Sequence, residues 1–504
     1  MHEKHIIGYP APADPIFVEA PCGLIEGRRW RGRHLRFLGI PYAEPPVGER
    51  RFAAPVRRSK GFSTLRAVQF GPASPQRTAF PEPFARLSGW SGETGEDCLN
   101  LHVFTPDTRG KRPVLVFIHG GGFFIGAGSQ YQGDELARRG DIVVVTLNYR
   151  LGLIGFNGFS ELFPDDKRFA ANAGLLDQRL ALEWVRDNIE AFGGDPERIT
   201  IAGESAGAAS VGYHLIAERS QQLFHQAICQ SGTINLFAPR KKAAAIAETA
   251  FRLLAPSGDR EDLFARPANA FVNVFRKLSA RFPGLPTMPY FDGAELPETE
   301  LGDLYRRAKS VPLLIGTNRD EFTLFTELPG LSFPVGPNEM SGWLERTTSL
   351  ERARAIHGLY DPDKRGVSQL GTDILFRASA IHVAEQNAKA APTYMYRLDW
   401  PAKGVFSRLG ATHSVDLPLL FDRFLSPFRG IYLGWLPDAA RRGLSDRMRD
   451  HWVHFVRTGR PLPDWPAYES DSRATKIFDV ADRIEADPQR EIRLAWDGVC
   501  GPVP

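Results

Sequence analysis

The chain has 504 residues, 43% of them hydrophobic and 24% charged, an ordinary balance for a globular protein that excludes a disordered or fibrous chain. At roughly 100–200 residues per domain the length allows two to four domains or one large α/β domain. The net charge of +3 is too small a surplus on so long a chain for a nucleic-acid footprint.

In chain order, the start lacks a basic region followed by an apolar one, so no signal peptide is visible. The longest apolar stretch, Val114 to Gly128, is rich in glycine and shorter than the roughly 20 residues that cross a bilayer, so no membrane span is expected. Four cysteines, Cys22, Cys98, Cys229 and Cys500, are widely spread with no Cys-x-x-Cys pair, which implies free thiols and a cytoplasmic location. Val114–Ile118, Ile142–Leu147 and Ile199–Ala202 are short apolar runs of the kind that suits central strands buried on both faces. Between the second and third, Leu176, Leu180, Trp184, Val185 and Ile189 recur at helical spacing, and Gly193-Gly194-Asp195-Pro196 stops the helix. Strand, helix, strand predicts a mostly parallel sheet with crossover helices. Beyond residue 238 charged amphipathic helices alternate with Pro- and Gly-rich stretches, interrupted by strand candidates Val311–Ile315 and Thr393–Arg397. Met448, Trp452, Phe455 and Val456 give a final helix face. No linker-like stretch divides residues 1–504, so about 238–310 and 325–400 read as helical insertions on one sheet core.

Gly203-Glu204-Ser205-Ala206-Gly207 is the one Gly-x-Ser-x-Gly of the sequence, between the strand ending at Ala202 and a helix through Val211 and Leu215. A serine on a sharp strand-to-helix turn needs small neighbours to stand clear of the backbone, and the helix aims its positive end at the site. His119-Gly120-Gly121-Gly122-Phe123 follows the strand 114–118, and its glycines let backbone N–H groups approach a substrate closely. Two of them plus the N–H of Ala206 suit a developing oxyanion. A dinucleotide loop would need Gly where Ile125 stands, so no cofactor is expected. Of twelve histidines, His2 and His5 fall in a tail, His451 and His454 on a partly solvated helix face, and His119 in the glycine loop, which it shapes. His413, in the late loop Gly410–Pro418, is a candidate base in the chain order serine, acid, histidine. The acid belongs after the strand 311–315, where Asp320 and Glu321 both qualify.

The chain resembles the type-B carboxylesterases, the family of cholinesterases and bacterial p-nitrobenzyl esterases. The resemblance runs through Phe37-Leu-Gly-Ile-Pro-Tyr-Ala-Glu-Pro-Pro-Val-Gly48, Glu96-Asp-Cys-Leu-Asn-Leu101, the three glycines, Asn148-Tyr-Arg-Leu-Gly152 and Gly174-Leu-Leu-Asp-Gln-Arg179. It continues through Phe192-Gly-Gly-Asp-Pro196, the Ser205 turn, Gln230-Ser-Gly232, Asp292-Gly293 and Trp465-Pro466. It implies an α/β-hydrolase fold, with a large, mostly parallel sheet, helices on both faces and helical insertions over the active site. It implies a serine esterase with Ser205 as nucleophile, Glu321 as acid and His413 as base, and Gly121, Gly122 and Ala206 as oxyanion donors. Glu204 and Ser231 become polar partners near the triad, and Arg150 with Asp177 a buried ion pair.

Three departures stand out. The family's loop disulfide would join Cys98 to a cysteine near residue 74, where Ser74 stands. The residue after the acid is commonly Gly and here is Phe322. Trp90 does not match the register of the choline-binding aromatic, so no choline esterase is inferred. Metal chemistry is not expected, since His-Glu-x-x-His is absent and Asp361-Pro-Asp363-Lys-Arg365-Gly366 imitates a calcium loop with Arg at its fifth and Thr372 at its twelfth position. The expected partner is a small ester, apolar or aromatic in view of 34 phenylalanines including Phe123, Phe124, Phe322 and Phe325, acted on by a bacterial monomer or homodimer. Rivals are the same machinery acting on carbamates, amides or lactones and, more remotely, a non-catalytic adhesion or scaffold protein.

Overall fold

The computed structural model describes residues 14–501 other than 31–33, 60, 78–92, 283, 300, 328–335, 423, 425–429, 437 and 500. Trp90, His2, His5 and Cys500 lie outside the described residues. Within them thirteen strands form one sheet. They are β1 (Pro15–Ala20), β2 (Gly23–Trp30), β3 (His34–Pro41), β4 (Phe62–Arg66), β5 (Asn100–Thr105), β6 (Arg112–Ile118), β7 (Val143–Leu147), β8 (Gly194–Glu204), β9 (Gln226–Gln230), β10 (Leu313–Asn318), β11 (Thr393–Leu398), β12 (Ala474–Phe478) and β13 (Arg483–Ala486). The order is β1-β2-β3-β5-β7-β6-β8-β9-β10-β11-β12-β13, with β4 beside β2. From β7 to β12 every neighbour is parallel, and the antiparallel pairs sit towards the two edges.

The apolar runs explain the centre. Along β6, Val114, Val116 and Ile118 enter one core cluster and Leu115 and Phe117 the other. Val143, Val145 and Leu147 of β7 and Val144 between them divide the same way. The period-two alternation therefore buries both faces of each strand, and each face needs a helical layer. On one face the helix Ala173–Asn188 supplies Leu180, Ala181, Trp184 and Val185. On the other the helix Ala439–Thr458 supplies Leu444, Met448, Trp452, Phe455 and Val456.

Differences from expectation have local causes. The strand expected at Val311 begins at Leu313, because Pro312 has no N–H for the ladder. The helix expected over 176–189 starts at Ala173 and ends at Asn188, and a 3₁₀ turn, Ile189–Phe192, carries the chain to Gly193 at φ 80°. β8 already begins at Gly194, before the expected Ile199. The calcium-like run is a helix start: Asp363 caps Lys364–Thr372 by accepting from the Gly366 N–H at 2.8 Å. His451 is buried rather than partly solvated, its ring against Trp465, and burial pushes its pKa down to about 4. None of the described helices is long and apolar enough to cross a membrane.

Arg150 and Asp177 form a bidentate pair at 2.8 and 2.6 Å with side chains 1% and 0% exposed. Arg150 also donates to the Arg51 and Ala53 carbonyls, tying the loop after β3 to the core. Removing one partner leaves an uncompensated buried charge, so Asp177→Ala should cost about 3–5 kcal/mol, read as a shift in the urea unfolding midpoint.

Ser74 Oγ accepts from the Leu151 N–H at 3.0 Å, and Cys98 is a buried free thiol whose pKa burial pushes up to about 12. Reductant should leave activity and melting temperature unchanged, and a Cys98 disulfide in mass spectra of unreduced protein would contradict this.

Candidate functional site

The strand order reverses at β6: the chain runs from β6 to β7 on one side and then to β8 on the other. Crevices at the carboxyl ends of strands at such a switch point are where ligands bind in open α/β sheets. The Gly120–Gly122 loop leaves β6 there, and Ser205 leaves β8.

Ser205 has φ 56° and ψ −124°, a conformation sparsely populated by residues with a side chain, and the helix Ala206–Ile216 starts directly after it. The turn is held by the Ser205 N–H donating to Gln230 O at 2.9 Å. Its tightness requires glycine: a Cβ added at Gly207 would lie 2.1 Å from Ile118 O. Gly121 and Gly122, at φ 103° and 61°, turn the opposite loop. Among the described residues the N–H groups of Gly121, Gly122 and Ala206 donate to no acceptor. His119 is buried, stacks on Tyr149 at 4.4 Å and is pushed down to about pKa 4 by burial, so it is a neutral wedge under the loop.

His413 and Glu321 meet across 92 residues, with Nδ1 2.7 Å from Oε2. Glu321 is fully buried, and its other oxygen accepts from the Asn318 N–H at 2.7 Å. Asp320 faces elsewhere, its Oδ2 accepting from the Ala411 N–H at 2.9 Å and pairing with Arg319 at 3.0 Å. His413 Nε2 lies 3.3 Å from Glu204 Oε1, which accepts the Ser414 hydroxyl at 2.6 Å. Among the described residues no hydrogen bond joins Ser205 Oγ to His413. Ser231, at φ 52°, is buried with an unpaired hydroxyl.

The structure adds residues that motif reading missed. Asp416 is fully buried one turn beyond His413 and accepts from Gln230 at 2.5 Å and Asn318 at 3.4 Å. Its spacing from His413 was the available signal. Asn318 also donates to Thr412 O at 2.9 Å, holding the histidine loop against β10. Burial and the Glu321 charge push Asp416 up to about 6, and burial pushes Glu204 up to about 7, helped by Asp416 and opposed by His413. Burial disfavours a charged His413, but Glu204, Glu321 and Asp416 outweigh it and raise it to about 9.

Phe325 and Phe376 flank the imidazole at ring separations of 5.4 and 4.9 Å. Phe124 stacks on Phe275 beside Gly122. Phe123 instead packs in the core on Phe156, and Phe322 is buried against Gly371, its N–H held by Thr372. Those two phenylalanines are core, so of the four named for an apolar ester only Phe124 and Phe325 stay outside the fully buried set.

The family model described as "Carboxylesterase family" matches residues 14–341 and 344–491. The chain is 36% identical over 492 residues to the para-nitrobenzyl esterase of Bacillus subtilis (strain 168), covering 94% of this chain and 97% of that one. It is 33% identical over 471 residues to the phenmedipham hydrolase of Pseudarthrobacter oxydans, covering 88% and 90%. A solved thermophilic PNB esterase superposes with a TM-score of 0.85 at 35% identity, covering 95% of this chain and 99% of the other. The α/β-hydrolase sheet and these matches along nearly the whole length agree, and the chain belongs to the carboxylesterase family, as a carboxylic ester hydrolase.

Proposed function

We propose that the chain hydrolyses apolar or aromatic carboxylic esters through an acyl-enzyme on Ser205. The observation that carries this reading is the buried Glu321–His413 pair at 2.7 Å, whose imidazole lies 3.3 Å from Glu204, the residue before Ser205 on its strained turn. Glu321 accepts from Nδ1–H and so fixes the tautomer in which neutral His413 presents an unprotonated Nε2 as base. His413 takes the Ser205 proton as Oγ attacks the carbonyl carbon, and the N–H groups of Gly121, Gly122 and Ala206 receive the oxyanion. The imidazolium returns its proton to the leaving alkoxide, and water clears the acyl group by the same route. Catalytic hydrogen bonds often tighten only around substrate, which accommodates the open Ser205–His413 contact. Phe325, Phe376 and Phe124 offer rings to the acyl or alcohol part.

An organophosphate should label the Ser205 peptide alone and stop turnover of short- and long-chain p-nitrophenyl esters together. Labelling of another serine, or turnover surviving full labelling, would overturn the reading. Carbamates, amides and lactones form the second reading, and the relative named for phenmedipham hydrolysis places that compound in the same substrate panel.

The charge of Glu204, with that of Glu321, supports protonated His413. Removing the Glu204 charge lowers the histidine pKa, so Glu204→Gln should move the acid limb of the kcat/KM profile to lower pH. A limb unmoved or moved upward would contradict the coupling.

A further inference from the structure

A cavity lies at the far end of the helix that starts behind Ser205. It has a volume of about 380 Å³ and sits between the helix Ala206–Ile216, β9, β10 and the helix Ala378–Ala388. Ser205, Glu321 and His413 do not line it. Ligand pockets of about 300–1,000 Å³ hold small organic molecules.

The cavity is two-sided in character. Leu215, Cys229, Ile234 and Leu313 give it a buried apolar floor, with Val383 beside them. Arg306, Lys309 and Lys389 also line it, and no Asp or Glu does. Lys309 is held by the Gln221 and Phe224 carbonyls, and Lys389 donates to Gln386 Oε1 at 2.8 Å. Among the described residues neither lysine has a carboxylate partner, and Arg306 pairs with Asp303 outside the lining. Two lysines without a carboxylate partner above an apolar floor select a molecule with one anionic end and one apolar body, since a cation meets repulsion and a plain anion leaves the floor uncovered.

We propose that this cavity binds a single-chain organic anion of the medium-chain fatty carboxylate type, separately from the ester cleft. The wall it would touch reaches the nucleophile turn. Ile234 packs on Gly212, where an added Cβ would lie 2.2 Å from its Cγ2. Two residues before Ile234, Gly232 backs onto Ser205 O, where an added Cβ would lie 2.3 Å away.

The test is calorimetric titration of the full chain with decanoate below its micelle range, with Ser205 capped by an organophosphate to close the ester cleft. Decyltrimethylammonium is the control of opposite charge. Decanoate should bind the capped protein about tenfold or more tighter than the cation. Arg306→Glu combined with Lys389→Glu, both exposed side chains, should weaken decanoate about tenfold or more, and Val383→Trp should abolish binding by filling the cavity. Equal binding of the cation, or wild-type binding by both variants, would overturn the site. If capping itself fails, the Ser205 reading is in error, and the two variants on uncapped protein still decide the cavity.

Discussion

Ser205→Ala should abolish ester turnover, with kcat falling by about 10⁶, the scale of losing a triad serine elsewhere. The substitution removes one oxygen and nothing that holds the fold. The Ser205 N–H to Gln230 O bond at 2.9 Å is backbone and persists. Alanine carries the same Cβ at φ 56°, so the strain of the turn is unchanged. Among the described residues Ser205 Oγ has no hydrogen bond whose loss would cost stability. Melting temperature should therefore stay near wild type while turnover of p-nitrophenyl esters vanishes. A folded variant retaining a tenth of the activity would remove Ser205 from the nucleophile role.

Why that serine was legible while its surroundings were not is a matter of range. The elbow is written within five residues because its geometry is local: close backbone approach forces glycine at 203 and 207, where an added Cβ would lie 2.3 Å from Gly207 C and 2.1 Å from Ile118 O. The central strands were equally legible, since burial on both faces leaves a continuous apolar run in β6 and β7. The antiparallel strands β1 and β13 are half or largely exposed, and their mixed composition carries no such run. Nothing local tells that Glu204 Oε1 lies 3.3 Å from an imidazole on residue 413, or that Asp416 adds a third buried carboxylate to that histidine's field. Phe376 escaped for another reason. It sits in the π-helical turn Asp373–Arg377, where the wider ring shifts side chains out of the 3.6-residue register that helix reading assumes. Between Asp320 and Glu321 composition could not choose, because both carboxylates grip the same loop, one at Ala411 and the other at His413.

That adjacency sets the second large effect. Glu321→Gln should lower kcat by about 10⁴, the scale of the comparable acid-to-amide change in a serine protease. The glutamine fills the same buried space, and its oxygen is claimed by the Asn318 N–H that now donates to Oε1 at 2.7 Å. Its amide nitrogen then faces His413 Nδ1, where the carboxylate stood at 2.7 Å. A donor there turns Nδ1 into an acceptor and places the ring proton on Nε2, the atom that takes the serine proton in the proposed mechanism. The imidazolium formed during attack also loses its buried counter-charge. Asp320→Asn keeps an oxygen for the Ala411 N–H and loses only the pair with Arg319, whose side chains are 43% and 21% exposed. Pairs of that exposure contribute roughly 0–1 kcal/mol, so turnover should stay within about tenfold of wild type. Steady-state kinetics of the two variants, each shown folded by its melting curve, decides between neighbours. If Asp320→Asn proves the more damaging, the acid is Asp320 and the Glu321–His413 contact is structural.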